Sequence, residues 1–183
     1  MSLEQLKYPI GIYNPIKEPS ETQLNHWIEE IESFPERILN LTRQLTTEQL
    51  QWRYRPEGWS IKQVVHHCAD SHLNSIMRFK LALTEDKPTI RPYYEDRWAE
   101  LVDGNYDDLS TTLFFIEALH AKWVKLLRSL NTEDLGRVYV HPEHKAEFNL
   151  AETVGNYAWH GNHHMAHIEN ALKFKGNFPE IEI

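Results

Sequence analysis

Four of the chain's 11 histidines are gathered in the stretch from Trp159 to His167, at positions 160, 163, 164 and 167. Three more, His66, His67 and His72, lie together well upstream. Neutral imidazole is the commonest protein ligand for zinc and similar divalent metals. Two rings one turn apart on a single helix, joined by a third from another helix, would make a His₃ site. Such a site leaves a coordination position open, the arrangement of a catalytic rather than a closed structural centre. The spacing therefore predicts a metal-dependent enzyme acting on a small molecule.

The elements that must position these rings are helices. The chain has 183 residues, 41% of them hydrophobic, with six Trp, eight Tyr and seven Phe. That is enough apolar material for one domain over residues 1–183 with a substantial core. Only seven glycines, against nine prolines set mostly between periodic segments, leave long windows for helix. A formal charge of −8 and a pI near 5.7 argue against a non-specific nucleic-acid binder, which carries a basic stripe. No apolar run approaches the roughly 20 residues of a membrane span. The opening residues lack the basic and apolar regions of a signal peptide. The single cysteine, Cys68, has no internal disulfide partner, which suits a reducing compartment. These features together predict a cytoplasmic protein without membrane or nucleic-acid partners.

The hydrophobic pattern predicts an all-α four-helix bundle. Residues 1–19, with Pro9, Pro15 and Pro19, read as an extended arm. Ser20 with Gln23 forms a capping-box pattern, and Leu24, Trp27, Ile28, Ile31, Phe34, Ile38 and Leu41 follow the helical period. Pro35 should kink or split this first helix, because it removes a donor and crowds the previous turn. Thr47–Leu50 adds a short turn. Ser60 with Gln63 opens a second helix running to about Thr84, and a short helix is expected around Tyr94–Leu101. The third helix spans about Ser110 to Leu130. Val138-Tyr139-Val140, within residues 136–148, suggests a small hairpin. Asn149 with Glu152 opens the last helix, and Gly176 is a natural stop. Helices of this length joined by long connections imply a bundle with at least one crossover.

Read at about 100° per residue, Val154, Tyr157, Ile168, Ala171 and Leu172 define the buried stripe of the last helix. His164 falls just inside its edge and His160 comes next, one turn back. His167 lies further round and His163 furthest toward solvent. Burial thus favours His160 and His164 as the pair. On the second helix the inner side is marked by Ile61, Val64, Val65, Cys68, His72, Ile76 and Phe79. His66 and His67 flank it almost symmetrically, so periodicity does not choose between them. His72, nearer the centre, fits a ligand, a donor behind a ligand, or a packed neutral ring. A single helical histidine is more often structural than ligating; the coincidence of two clusters on two helices is what favours a shared site. Cys68 reads as a small buried hydrophobe. His26, His120, His141 and His144 carry no individual signal, although His141 and His144 would approach a pocket mouth if the hairpin folds over it.

Several segments together resemble one family. They are Tyr8–Gly11, Gly58–His67 (GWSIKQVVHH), Ala69–His72, Arg78–Glu85 (RFKLALTE), Ile90–Tyr93, Trp159-His160 and His163–Ile168. This pattern resembles the DinB-like superfamily of four-helix-bundle metalloproteins, and within it the YfiT branch. The resemblance spans nearly the whole chain. It implies that one histidine of the second helix and an His-x₃-His pair of the fourth hold a divalent metal; carried over, these are His67, His160 and His164. The choice of His67 over His66 rests on the resemblance. Many members of the wider family have Gln where His167 stands. The implied metal is zinc or nickel, with iron also compatible with three imidazoles. The implied activity is either a metal-dependent hydrolase or a bacillithiol-type thiol S-transferase acting on small electrophiles, working as a homodimer. Three neutral ligands leave a +2 charge that can bring a coordinated water's pKa to about 7 and can equally stabilise a thiolate. Asp70, one turn past His66 and His67, is an expected hydrogen-bond acceptor behind a ligand. Arg78, Arg91 and Arg97 read first as solvated surface arginines, with reception of a carboxylate-bearing thiol or substrate as the alternative. The contrasting expectation is a non-catalytic bundle in which metal only ties the second helix to the fourth.

Overall fold

A computed structural model of the chain describes residues 2–178; Met1, at the start of the expected arm, and residues 179–183 lie outside the described residues. The chain begins with a short helix α1, Leu3–Lys7, closed at its N-terminus by a reciprocal Ser2–Gln5 capping box. This corrects the expectation that residues 1–19 are extended throughout. The three prolines of that segment all follow α1, and Leu6 gives the helix a buried anchor at 1% exposure.

Four long helices follow: α2 (Glu21–Thr42), α4 (Ile61–Thr84), α6 (Ser110–Leu127) and α8 (Leu150–Phe174). Between them lie α3 (Thr47–Leu50), α5 (Glu95–Trp98), α7 (Thr132–Gly136) and a hairpin, β1 (Val138–His141) with β2 (Ala146–Asn149). The starts of α4 and α8 match their sequence signals: Ser60 with Gln63, and Asn149 with Glu152, make complete capping boxes. At its far end α8 terminates with Lys175 and Gly176 both at positive φ, 52° and 69°. Pro35 lies inside α2 without dividing it. The missing Pro35 N–H would have served the Ile31 carbonyl four residues back, and that carbonyl is satisfied from another helix instead, as described below.

The bundle is a ring in which α2 packs on α6 and α8, while α4 packs on the same two helices. The consecutive long helices α2 and α4 therefore face each other across a diagonal, as do α6 and α8, which is the crossover topology that long connections imply. α4 and α8 run antiparallel, since His67 meets His164 while Arg78 meets Tyr157 further along. β1 and β2 pair antiparallel with Val138 opposite Asn149. The connection after α4 pairs with the outer edge of β1 through Ile90 N–H to Val140 O and Val140 N–H to Pro88 O. Close approach of α8 to α2 depends on two glycines of α8. A Cβ on Gly161 would sit 3.0 Å from Phe34, and one on Gly155 would sit 2.7 Å from the Tyr13 hydroxyl and 2.8 Å from Trp27.

The core is in two parts. One is built around Ile76, Phe79, Trp123, Val154 and Tyr157. The other is built around Phe34, Ile61, Val65, Ile116, Met165 and Ile168. On α4 and α8 the residues between these two clusters include His72, His160 and His164, so a polar layer of imidazoles crosses the middle of the bundle.

Candidate metal centre

Helical spacing brings His160 and His164 to one side of α8, with ring centroids 4.4 Å apart. His67 reaches them from α4, at 5.4 Å from His160 and 4.8 Å from His164. One ring nitrogen from each of the three lies within 4.8 Å of the others, and Nε2 of His67 is 3.3 Å from Nε2 of His160. Two nitrogens bound tetrahedrally at about 2.0–2.1 Å from one ion would be about 3.4 Å apart. The donor set and this spacing therefore fit a divalent cation. Trp59 packs against the trio, 4.6 Å from the His67 ring and stacked at 6.5 Å on His164. Ser71 places its hydroxyl oxygen 3.3 Å from Nε2 of His160.

Burial lowers the His67 pKa from the ordinary 6.5 to about 4, helped by the charge of a protonated His163 nearby. Burial likewise drives His160 and His164 well below the ordinary value, with the surrounding histidines acting in the same direction. All three rings are thus neutral at neutral pH, and each has a lone pair to offer.

The neighbouring histidines sort clearly. His66 turns away toward α6, its Nδ1 at 2.8 Å from the Thr112 hydroxyl and its Nε2 at 3.1 Å from the Tyr106 carbonyl. His72 does not join the trio; Nε2 faces Nδ1 of His160 at 3.1 Å and Nδ1 faces Nε2 of His120 at 2.8 Å. His120, unremarkable in sequence, is 1% exposed and donates from Nδ1 to the Ile31 carbonyl at 2.7 Å. Its place four residues after the buried Ile116 and three before the buried Trp123 was the available signal. His163 is also a correction: expected furthest toward solvent, it is 7% exposed, because Trp159 stacks on it at 4.4 Å and the arm residue Tyr8 approaches to 6.0 Å. His167 is covered by Tyr54, stacked at 3.8 Å. A one-helix wheel has no means of counting the loop and arm that close over that face.

Among the described residues, no histidine ring hydrogen-bonds the Asp70 carboxylate. Asp70 is half-buried, and burial, with Asp103 adding to it, raises its pKa to about 6. Cys68 is fully buried and its thiol pKa is pushed up by that burial. Of the three arginines, Arg78 is half-buried and donates to the Tyr157 hydroxyl at 3.3 Å, while Arg91 and Arg97 are exposed. His141 is buried in the hairpin 4.3 Å from His144; that burial lowers its pKa, and the positive charges of His144 and Arg78 add to the shift. A groove of about 1040 Å³ between α2 and α6 is lined by none of the three clustered rings.

The chain matches known proteins over nearly its whole length and theirs. The DinB superfamily pattern matches residues 30–168. A Bacillus cereus (strain 03BB102) protein provisionally named a metal-dependent hydrolase is 46% identical over 171 residues, covering 93% of this chain and 98% of its own. A Bacillus pumilus (strain SAFR-032) protein with the same provisional name is 44% identical, covering 93% and 97%. Among solved structures, YfiT from Bacillus subtilis, described as a probable metal-dependent hydrolase with an unusual four-helix bundle topology, matches with a TM-score of 0.91. That match has 42% identity and covers 94% of this chain and 98% of YfiT.

Proposed function

Because this chain belongs to the DinB superfamily, we propose that residues 1–183 form one DinB-like domain that acts as a metal-dependent hydrolase on small molecules, with His67, His160 and His164 as the metal ligands. The observation that carries this reading is the convergence of three neutral ring nitrogens within 4.8 Å. A divalent ion held there, zinc or nickel by donor type, would supply Lewis acidity toward a substrate carbonyl or similar group.

The chain's own residues do the rest. Burial keeps the three rings unprotonated, so no proton competes for their lone pairs. Trp59 shields one side of the centre from water. Arg78, half-buried and donating to the neutral Tyr157 hydroxyl, is a cation available to receive an anionic substrate group.

A second reading is thiol S-transfer of the bacillithiol type. It is favoured by an all-imidazole donor set, without a carboxylate among the described residues, since a fully cationic centre suits a thiolate ligand. In either case the buried single cysteine fits a reducing cytoplasmic setting, and we expect a homodimer.

The test is a pair of panels run on zinc-loaded and nickel-loaded protein. Ester and amide hydrolysis without thiol supports the first reading. Acceleration of electrophile conjugation by one low-molecular-weight thiol, with no thiol-free hydrolysis, replaces it with the second. If metal binds, turnover is absent from both panels and chelation sharply lowers the melting temperature, the site is structural and both enzyme readings fail.

A further inference from the structure

The imidazole layer contains more rings than a metal can use, and their contacts are not random. We propose that two histidine relays, each anchored on a backbone carbonyl that its own helix leaves without a donor, fix both His160 and His164 as the tautomer whose Nε2 carries the lone pair. The metal-affinity consequence rests on the ligand assignment above; the tautomer assignment does not.

The first relay starts at Ile31 in α2. Its carbonyl would ordinarily accept from the N–H of residue 35, but that residue is Pro35 and has none. His120 Nδ1 lies 2.7 Å from this oxygen. A carbonyl only accepts, so His120 Nδ1 carries the hydrogen. A neutral imidazole has one N–H, which leaves a lone pair on His120 Nε2. His72 Nδ1, 2.8 Å away, must therefore be the donor, and His72 Nε2 is left bare. His160 Nδ1, at 3.1 Å, must donate in turn. The remaining lone pair of His160 is then on Nε2, the atom 3.3 Å from Nε2 of His67. One orphaned carbonyl sets the hydrogen positions of three rings.

The second relay is shorter and comes from the other direction. Lys7 is the last residue of α1, and carbonyls at a helix C-terminus lack intrahelical donors. His167 Nε2 lies 3.1 Å from the Lys7 oxygen and so carries the hydrogen. His167 Nδ1 is then an acceptor, and His164 Nδ1 at 3.4 Å is its donor. Again Nε2 of the ligand is left bare. Four of the rings are buried and His160 is partly buried; among the described residues none has a carboxylate partner in either chain of contacts, so they stay neutral and the hydrogen count holds.

The two relays share no residue, yet they give the same answer for both α8 ligands. They also account for three histidines that the centre does not use directly, making His72, His120 and His167 positioning residues. Partners behind a metal-bound histidine hold its ring orientation and raise its basicity, and removing one costs about 10- to 100-fold in metal affinity. The short arm helix becomes part of the centre by the same logic, since only α1 supplies the Lys7 carbonyl.

The experiment uses the full chain labelled with ¹⁵N-histidine and stripped of metal. Long-range ¹H–¹⁵N spectra should show His160 and His164 protonated on Nδ1, and a majority Nε2–H form at either ring overturns the corresponding relay, whatever any variant does. His120→Leu, remote from the trio, should turn His160 into a tautomer mixture and raise the zinc Kd by about tenfold. His167→Leu should do the same through His164. His167→Gln should keep the zinc Kd near the wild-type value, because an amide can accept from His164 Nδ1 and donate to the Lys7 carbonyl. Unchanged tautomers and an unchanged Kd in the folded leucine variants refute the proposal. If the wild type shows the stated tautomers but binds no zinc, the relays stand and the metal reading falls.

Discussion

Acid should unfold the metal-free protein through its buried imidazoles. His67 and His120 are both lowered by burial to about 4 from the ordinary 6.5. Because the folded value is the lower one, the unfolded chain takes up protons that the folded chain refuses. Stability is complete above pH 6.5 and is lost progressively as pH falls from 6.5 toward about 4. At pH 5 each ring costs about 2 kcal/mol of stability, against a few tenths at pH 7. Two rings give about 4 kcal/mol, a large share of the 5–15 typical of a domain. His163 and His167, lowered to about 4 and about 3, act in the same direction. Urea unfolding of chelated protein, followed by tryptophan fluorescence, should show a fully folded state at pH 7. Its midpoint should fall by about 2 M at pH 5, taking a slope near 2 kcal/mol/M. A midpoint that is constant or rises between pH 7 and pH 5 would refute the claim that the histidine layer is buried and neutral.

Two substitutions probe the geometry elsewhere. His66→Ala should leave zinc affinity within about threefold of wild type, because its ring bonds Thr112 and the Tyr106 carbonyl; loss of metal binding in a calorimetric titration would mean that α4 presents the wrong histidine. Gly155→Ala should lower stability by about 1–3 kcal/mol through overpacking, since the new methyl would meet Tyr13 and Trp27 at 2.7 and 2.8 Å. An unchanged thermal midpoint would show that α8 and α2 are not in such close contact.

Much of the fold was legible from local signals. The capping pairs at Ser60 and Asn149 fixed the starts of α4 and α8, and the Val138–Val140 run located the hairpin. The α8 wheel selected His160 and His164 because both the stripe and the i,i+4 spacing are properties of one helix. What stayed hidden depends on contacts between distant segments. The choice of His67 over His66 is made by α6, which takes up His66 through Thr112. The burial of His163 is completed by Tyr8 beside Trp159, and that of His167 is made by Tyr54; neither tyrosine is near them in sequence. Helix α1 escaped notice because five residues give too little periodicity, although the Ser2–Gln5 pair was there to read. Pro35 was read as a threat to its helix; its consequence is a carbonyl left without a donor from its own helix, and only the packing of α6 against α2, which brings His120 to Ile31, reveals what answers it.

The central claim is that His67, His160 and His164 share one cation. Elemental analysis after equilibration with zinc and desalting tests it most directly, on wild type and on His67→Ala, His160→Ala and His164→Ala, with circular dichroism verifying each fold. The account predicts one ion per wild-type chain and little or none in each folded variant. A wild type without metal, or a folded variant that retains a full equivalent, would contradict it.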